Sequence, residues 1–289
     1  MSQLAHLRHK IRSIQTTKKI THAVRLVSMA FYNKLDKANQ PLTTYNQQLK
    51  NTFIQLLADS SGWVNTVLTR SDVLDQRPLF VVVSTSKGLC GSLNSNLFRY
   101  LQQALFLDEK QEPFFIAIGT KAITHLKKQN KGVLVASYPE VTTHNLSALA
   151  DELIEKIMFG SQPYSSVSFF SSQAKSFFFQ RPIKTTVLPL AVDNLAQEAQ
   201  QAGTADSLIW EQSKQEVLDF VAARYLRSIV MQILFDAMRA EHAARFLAME
   251  NSTNNAEKYL ERLTLQFNKM RQAAITKEIS ELSAGMSQR

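Results

Sequence analysis

The stretch Ser84 to Asn94 (STSKGLCGSLN) gathers the residue types that could do chemistry: two glycines, a lysine, a cysteine and several hydroxyls. It follows an apolar run and leads into a helical one, and backbone amides in such a turn can cradle a phosphate at a helix N-terminus. The spacing argues against this. It matches neither G-x-x-x-x-G-K-[ST] nor G-x-G-x-x-G, and Lys87 precedes Gly88 instead of following Gly91. The reading adopted is a tight strand-to-helix turn in which glycine supplies backbone freedom. Cys90 would be reactive beside a helix N-terminus, but a packed, inert thiol is the expected state. Being the one cysteine, it excludes an intrachain disulfide and disfavours a structural zinc site.

The remaining candidates are sparser still. The six histidines (His6, His9, His22, His125, His144, His242) are scattered, none at H-x-x-x-H spacing with a carboxylate. His6 and His9 could meet on one helix face, which reads as a solvated basic face. No G-x-S-x-G nucleophile elbow occurs. Asp206, Glu211 and Glu216 lie near the start of a long helical stretch, where negative charge suits the helix dipole. The expectation is therefore no catalytic residue, no metal and no cofactor.

The elements around these residues are unusual. From Thr204 to Ala284 the chain has neither glycine nor proline. A continuous helix of that length, at about 1.5 Å per residue, would reach roughly 120 Å. Within it Leu226, Val230, Ile233, Ala237, Ala240, Ala244 and Leu247 alternate in steps of four and three, a coiled-coil seam. Leu260, Leu263, Phe267, Met270 and Ala274 continue it, with Ile275, Ile279 and Leu282 at the end. The polar run Ser252–Asn255 is poor in helix propensity and reads as a soft spot.

Residues 3–58 also read as helix. Leu4, Leu7, Ile11 and Ile14 form one stripe; Ile20, Val24, Val27 and Phe31 form another, with a change of face across Gln15–Lys19. Pro41 should kink or briefly break this helix. Leu49, Phe53, Leu56 and Leu57 extend it toward Ser60, Ser61 and Gly62.

Between the two helical ends the pattern changes. Apolar runs at Leu79–Ser84, Phe114–Ile118 and Val133–Ala136 read as strands buried on both faces. Helical stretches at Ser95–Phe106, Thr120–Gln129 and Leu146–Phe159 separate or follow them. Val167–Phe170 and Ile183–Leu188 read as further strands, at an edge or less regular because of Pro163 and Pro182. Such alternation implies a largely parallel, doubly wound sheet. The predicted fold is a long antiparallel two-helix coiled coil from the chain ends, with an inserted Rossmann-like α/β domain. Its divisions are an N-terminal helix over 1–60, an α/β domain over 75–195 and a C-terminal helix over 204–289.

Charge is distributed unevenly. Of the net +9, most lies in residues 1–37, where eight Lys/Arg face one acid, Asp36. A basic N-terminus poor in acids also fits a transit peptide, but its apolar spacing is structural; it lacks the apolar core of a secretory signal. No apolar run is long enough to span a bilayer. Composition alone leaves open a coiled-coil adaptor binding nucleic acid or anionic membrane through the basic N-terminal helix, and a nucleotide-using α/β enzyme.

Three blocks narrow the choice. Ile11-Arg-Ser-Ile14 with Thr17-Lys-Lys-Ile-Thr21, the loop Ser84–Asn96, and Asn268-Lys-Met-Arg-Gln-Ala-Ala-Ile-Thr276 with Glu278, Ile279, Glu281 and Gly285 resemble the gamma subunit of F-type ATP synthase. Glu241, Ala244-Arg245 and Ala248-Met249 match a further stretch of that family. The resemblance covers the chain in order. It implies a central rotor shaft, itself non-catalytic, that couples hydrogen-ion or sodium flow through the membrane c-ring to an alpha/beta catalytic hexamer. The implied partners are alpha, beta, epsilon and the c-ring, with no nucleic acid. The implied place is the cytoplasmic side of a bacterial inner membrane, peripherally bound.

By that resemblance Arg271 and Gln272 contact a beta-subunit loop, and Thr276, Glu278 and Glu281 belong to the coupling region. Arg8, Arg12, Lys18 and Lys19 offer a basic surface to acidic beta loops, and Trp210-Glu211 falls at the foot near epsilon and the c-ring. The chain departs from the pattern at Arg25, where Glu is usual, at Phe31-Tyr32, at Ser86 and Ser92 in the loop, and at Ser252–Asn255. It resembles a divergent member, of a secondary or alternative ATPase operon.

Overall fold

The structure is a computed structural model and describes residues 2–58, 63, 65, 68, 77–107, 112–129, 132–159, 164–190 and 210–286. In order the elements are α1 (Ser2–Ala58), β1 (Leu79–Val83), α2 (Leu93–Leu107), β2 (Phe114–Ile118), α3 (Thr120–Gln129), β3 (Val133–Tyr138), α4 (Leu146–Phe159), β4 (Val167–Ser176), β5 (Phe179–Leu188) and α5 (Lys214–Met286). The chain forms two compact units, Met1–Ala30 with Arg245–Arg289, and Phe31–Ala244. Helices α1 and α5 each contribute to both.

Helix α1 runs unbroken through Pro41, so of the expected kink or brief break the break does not occur. Proline removes one i→i−4 hydrogen bond. Here Pro41 and Lys37, whose carbonyl loses its donor, are both exposed, so solvent can take that role. Leu35 and Leu42 on the inner side pack into the core and hold the helix on either side of the proline. The stretch Ser60, Ser61 and Gly62, where this helix is expected to stop, lies outside the described residues.

Helix α5 begins later than the glycine-free stretch allows. The Ser213 hydroxyl accepts from the Glu216 amide at 3.3 Å and its carbonyl from the Val217 amide at 3.2 Å. Ser213 to Glu216 reads S-x-x-E, a capping-box pattern that the sequence displays and the glycine count obscured. Trp210 and Glu211 therefore precede the helix. Residues 204–209, including Asp206, lie outside the described residues.

In the Phe31–Ala244 unit five strands form one sheet in the order β3-β2-β1-β4-β5. β1 pairs in parallel with β2 and β4, β2 with β3 likewise, while β4 and β5 are antiparallel. The sheet is Rossmann-like, as the alternating pattern predicts. Three strands differ from expectation. β3 is an edge strand whose residues alternate between exposed and half-buried, not a strand buried on both faces. Its Val133 and Val135 point outward, so four apolar letters in a row did not mean two covered faces. β4 and β5 are each 10 residues long and form a hairpin. Pro182 sits in the edge strand β5, where a missing ladder donor is tolerated; Pro163 lies outside the described residues.

One face of the sheet packs on α1 and α5. Val81, Ile116 and Phe169 share a core with Leu35, Phe53, Leu226 and Val230. Phe53 stands edge-on to Trp63 and also meets Tyr225, each with ring centroids 5.7 Å apart. The Trp63 indole donates to Asp219 on α5 at 3.0 Å. The stretch of α5 from Leu226 to Phe235 is therefore the floor of the α/β core as well as one side of a helix pair. The other face is covered by α2 and α3, with Phe80, Leu97, Leu101 and Phe115 at its centre.

Candidate functional site

The loop after β1 is a turn, fastened by its own side chains. Asn94 accepts from the Thr85 amide at 3.2 Å and donates to the Thr85 hydroxyl at 2.8 Å; that hydroxyl donates to the Lys87 carbonyl at 2.7 Å. Leu89 and Gly91 adopt positive φ, 66° and 57°. Cys90 is buried, its thiol facing the Gly88 carbonyl, and packs with Leu93 against Ala244 of α5. The loop docks a helix.

Its position leaves little room for a phosphate. In an open α/β sheet, ligands bind beyond the strand carboxyl ends where the strand order reverses. That point here lies between β1 and β4. Leu234, Ala237, Met238 and Glu241 of α5 line it, leaving a cavity of about 20 Å³. That is room for about one water. The chain closes its own nucleotide crevice with its own helix.

In the Met1–Ala30 and Arg245–Arg289 unit, α1 and α5 run antiparallel. On α5 the inward positions are Thr253, Ala256, Leu260, Leu263, Phe267, Met270 and Ala274, the expected alternation of three and four. On α1 they are Leu4, Leu7, Ile11 and Ile14, and the same repeat then continues through Lys18, Thr21, Arg25 and Ser28. The stripe does not change face. Ile20 and Val27 are instead exposed, at 58% and 55%. Hydropathy misplaced the seam because its middle is polar.

Three of these four polar residues are matched across the pair, and the Ser28 hydroxyl donates to the Val24 carbonyl of its own helix at 2.8 Å. Lys18 donates to Glu257 at 2.6 Å, and the Thr253 hydroxyl donates to Thr21 at 2.9 Å. Arg25 pairs with Glu250. The hydrogen bond from Lys18, then its charge, holds the Glu257 carboxyl below the usual range. Ser252–Asn255, expected as a soft spot, is continuous helix, and buried Thr253 forms part of the seam.

The candidate contact residues divide accordingly. Arg271, Gln272, Thr276, Glu278 and Glu281 are all exposed on α5. At 100° per residue, Gln272 and Thr276 stand nearly opposite Ala274 of the seam, while Arg271 and Glu278 flank it. The Thr276 hydroxyl donates to the Gln272 carbonyl at 3.0 Å, and Glu281 lies 3.6 Å from Lys277. Ile275 and Ile279, expected in the stripe, are exposed; the side chain of Leu282 lies outside the described residues. Arg8, Arg12 and Lys19 are exposed, whereas Lys18 is engaged with Glu257. Trp210 is half-buried with the Lys214 ammonium 5.1 Å from its ring, and Glu211 is exposed. Among the described residues no group of His, Cys, Asp or Glu could hold a metal, and no helix is long and apolar enough to cross a membrane.

A Rossmann-like sheet with its crevice filled in one unit, and a helix pair held together by its own seam in the other, define a scaffold that presents surfaces. The same fold occurs in solved structures. The rotor of Euglena gracilis mitochondrial ATP synthase superposes with a TM-score of 0.69 at 19% identity, covering 95% of this chain and 99% of that one. The central stalk of the Tetrahymena thermophila enzyme gives 0.57 at 18%, covering 80% and 98%. In sequence, a family model described as ATP synthase matches residues 3–288. The ATP synthase gamma chain of Pelotomaculum thermopropionicum is 30% identical over 99% of this chain and 98% of its own length. That of Verminephrobacter eiseniae is 32% identical over 96% of each. The chain belongs to the ATP synthase gamma family.

Proposed function

We propose that this chain is the central rotor shaft of an F-type ATP synthase or ATPase, coupling ion flow through a membrane c-ring to an alpha/beta catalytic hexamer. Family membership supports the role. The observation that carries it is that Arg271, Gln272, Thr276, Glu278 and Glu281 are all exposed, spread around α5 near its end. Polar side chains on several sides of one helix are available to a surrounding protein.

Mechanistically the shaft is one ligand with unlike faces. A rotating asymmetric surface stabilises different conformations of successive beta subunits, and each receives only the differential free energy of its contacts. Arg271 and Gln272 grip a beta-subunit loop, Thr276, Glu278 and Glu281 extend that contact, and Arg8, Arg12 and Lys19 face acidic beta loops. Lys18 acts indirectly, holding Glu257 within the seam. Trp210 and Glu211 lie at the foot with epsilon and the c-ring. The chain carries no catalytic residue of its own. It is peripheral, on the cytoplasmic side of a bacterial inner membrane, with the divisions 1–60, 75–195 and 204–289 as N-terminal segment, α/β domain and C-terminal segment, the last carrying α5 from Lys214. A nucleic-acid or lipid adaptor is less well supported, since Glu257 and Glu250 neutralise Lys18 and Arg25.

Co-purification tests the reading. Co-expressed with the alpha and beta subunits of its own genome, the chain should join them in one ATPase. An alpha/beta ATPase that assembles fully while excluding it would overturn the proposal.

A further inference from the structure

The β4–β5 hairpin has a tip that neither the family blocks nor the seam explains. Three phenylalanines stand in succession, Phe177 to Phe179, and from Tyr164 to Leu190 the sequence contains no Asp or Glu. Phe177 is turned inward. Its ring meets Tyr32 of α1 edge-on at 4.8 Å, and the Gln180 side chain donates to its carbonyl at 2.6 Å. Tyr32 in turn lies 5.9 Å beneath the Arg239 guanidinium, which is paired with Asp36. The turn is therefore fastened to α1, whose Tyr32 is in turn held by α5. Phe178 and Phe179 are left 76% and 57% exposed, with the exposed cations Lys175 and Arg181 beside them.

Single exposed apolar residues are ordinary. Two adjacent phenylalanines on a fastened turn are different, because the ordering cost of binding is already met. Buried aromatic anchors in a partner pocket carry much of the free energy of protein contacts. The acid-free, cationic strands of the hairpin set the sign of the partner's rim.

We propose that the hairpin tip, Phe178 and Phe179 between Lys175 and Arg181, docks into an apolar pocket with an acidic rim on a neighbouring protein of the assembly. The inference rests on the rotor reading for its setting, but not on which subunit offers the pocket. An anionic membrane is the weaker fit, since electrostatic attachment to lipid generally takes about four to eight clustered cations. A fixed geometry also suits a shaped pocket more than a fluid surface.

A photo-crosslinking amino acid at Phe178, carried by the full chain in the purified assembled complex, tests the proposal. The expected result is an adduct with one subunit, through a peptide containing Asp or Glu. Its yield should fall at least about threefold with K175Q/R181Q, or on raising salt from about 0.1 to about 0.5 M. Lipid adducts only, adducts with a second copy of this chain, or no adduct would overturn it. So would a protein adduct indifferent to both charge and salt. F179S should leave the melting temperature unchanged and weaken the adduct, separating docking from folding. Failure of the chain to enter the complex would refute the rotor reading instead, before any crosslinking result is read.

Discussion

The Lys18 ammonium lies 2.6 Å from the Glu257 carboxylate, at a seam position that hydropathy assigns to neither helix's apolar face. With Thr21–Thr253 and Arg25–Glu250 it makes a polar segment inside an otherwise apolar helix pair. Such segments specify register, because sliding the helices leaves charges unmatched.

The pair Arg25–Glu250 is the more enclosed of the two ion pairs, with side chains 22% and 33% exposed. Breaking one side leaves a partly desolvated charge, so R25L should cost about 1–3 kcal/mol in the full chain. R25L/E250L should recover to within about 1 kcal/mol of wild type. Denaturant unfolding measures both, and a double variant as weak as R25L would contradict the pairing.

Arg227 clamps Asp151 of α4 to α5, with Nη2 at 3.0 Å from Oδ2 and 2.7 Å from the Ser147 hydroxyl. The hydrogen bond from Arg227, opposed by desolvation and aided by charge, holds the Asp151 carboxyl below its usual range. A carboxylate whose pKa is lower folded than unfolded adds stability above its unfolded pKa and loses it as pH falls through the folded one. The stability gap between wild type and D151N should thus be constant from about pH 6 to 8 and close below about pH 4. Its size should be under about 1 kcal/mol, because the site is well solvated. Thermal melts across pH read this directly.

Ala244 is buried where Cys90 and Leu93 meet α5. A244L should destabilise by about 1–3 kcal/mol through overpacking. It should also expose the buried Cys90 thiol to alkylating reagents, which the wild type resists. Unchanged thiol reactivity would mean the loop does not depend on this helix.

The filled crevice predicts that the isolated chain binds neither ATP nor ADP by calorimetry at millimolar ligand. Saturable binding would place a nucleotide where the structure leaves about 20 Å³.

Much of this was legible in the sequence, and the exceptions have physical causes. Leu260, Leu263, Phe267 and Met270 announced the seam on α5 because apolar residues there coincide with buried ones. On α1 the same periodicity failed after Ile14: Lys18, Thr21 and Arg25 are satisfied by partners more than two hundred residues away, which no local window can see, and Ser28 by the Val24 carbonyl of its own helix. Ile20 and Val27 then looked like core when they are surface. Val133 and Val135 misled similarly, since an apolar strand at a sheet edge spells like one at its centre. Pro41 was read by its intrinsic effect, and burial of Leu35 and Leu42 overrode it. The Ser213–Glu216 cap was readable and was masked by the length of the glycine-free run. The contact residues around Arg271 could be found only through resemblance, because exposed polar residues on a helix carry no signal of what they touch.

Arg271 is the sharpest single test of the contact residues. R271A should leave the melting temperature within about 1 °C, since an exposed side chain contributes little to stability. It should slow coupled ATP turnover of the complex by about tenfold, as truncated interface arginines commonly do. Equal turnover would remove this residue from the set.

The rotor account is tested most directly by watching the chain turn. In a C90S background, the substitution K128C on exposed α3 gives one attachment point for a probe. With the alpha/beta hexamer fixed to a surface and ATP supplied, the account predicts stepwise rotation of the probe in one direction, abolished when ATP is withdrawn. A probe that stays fixed to the hexamer while ATP is being hydrolysed would contradict it.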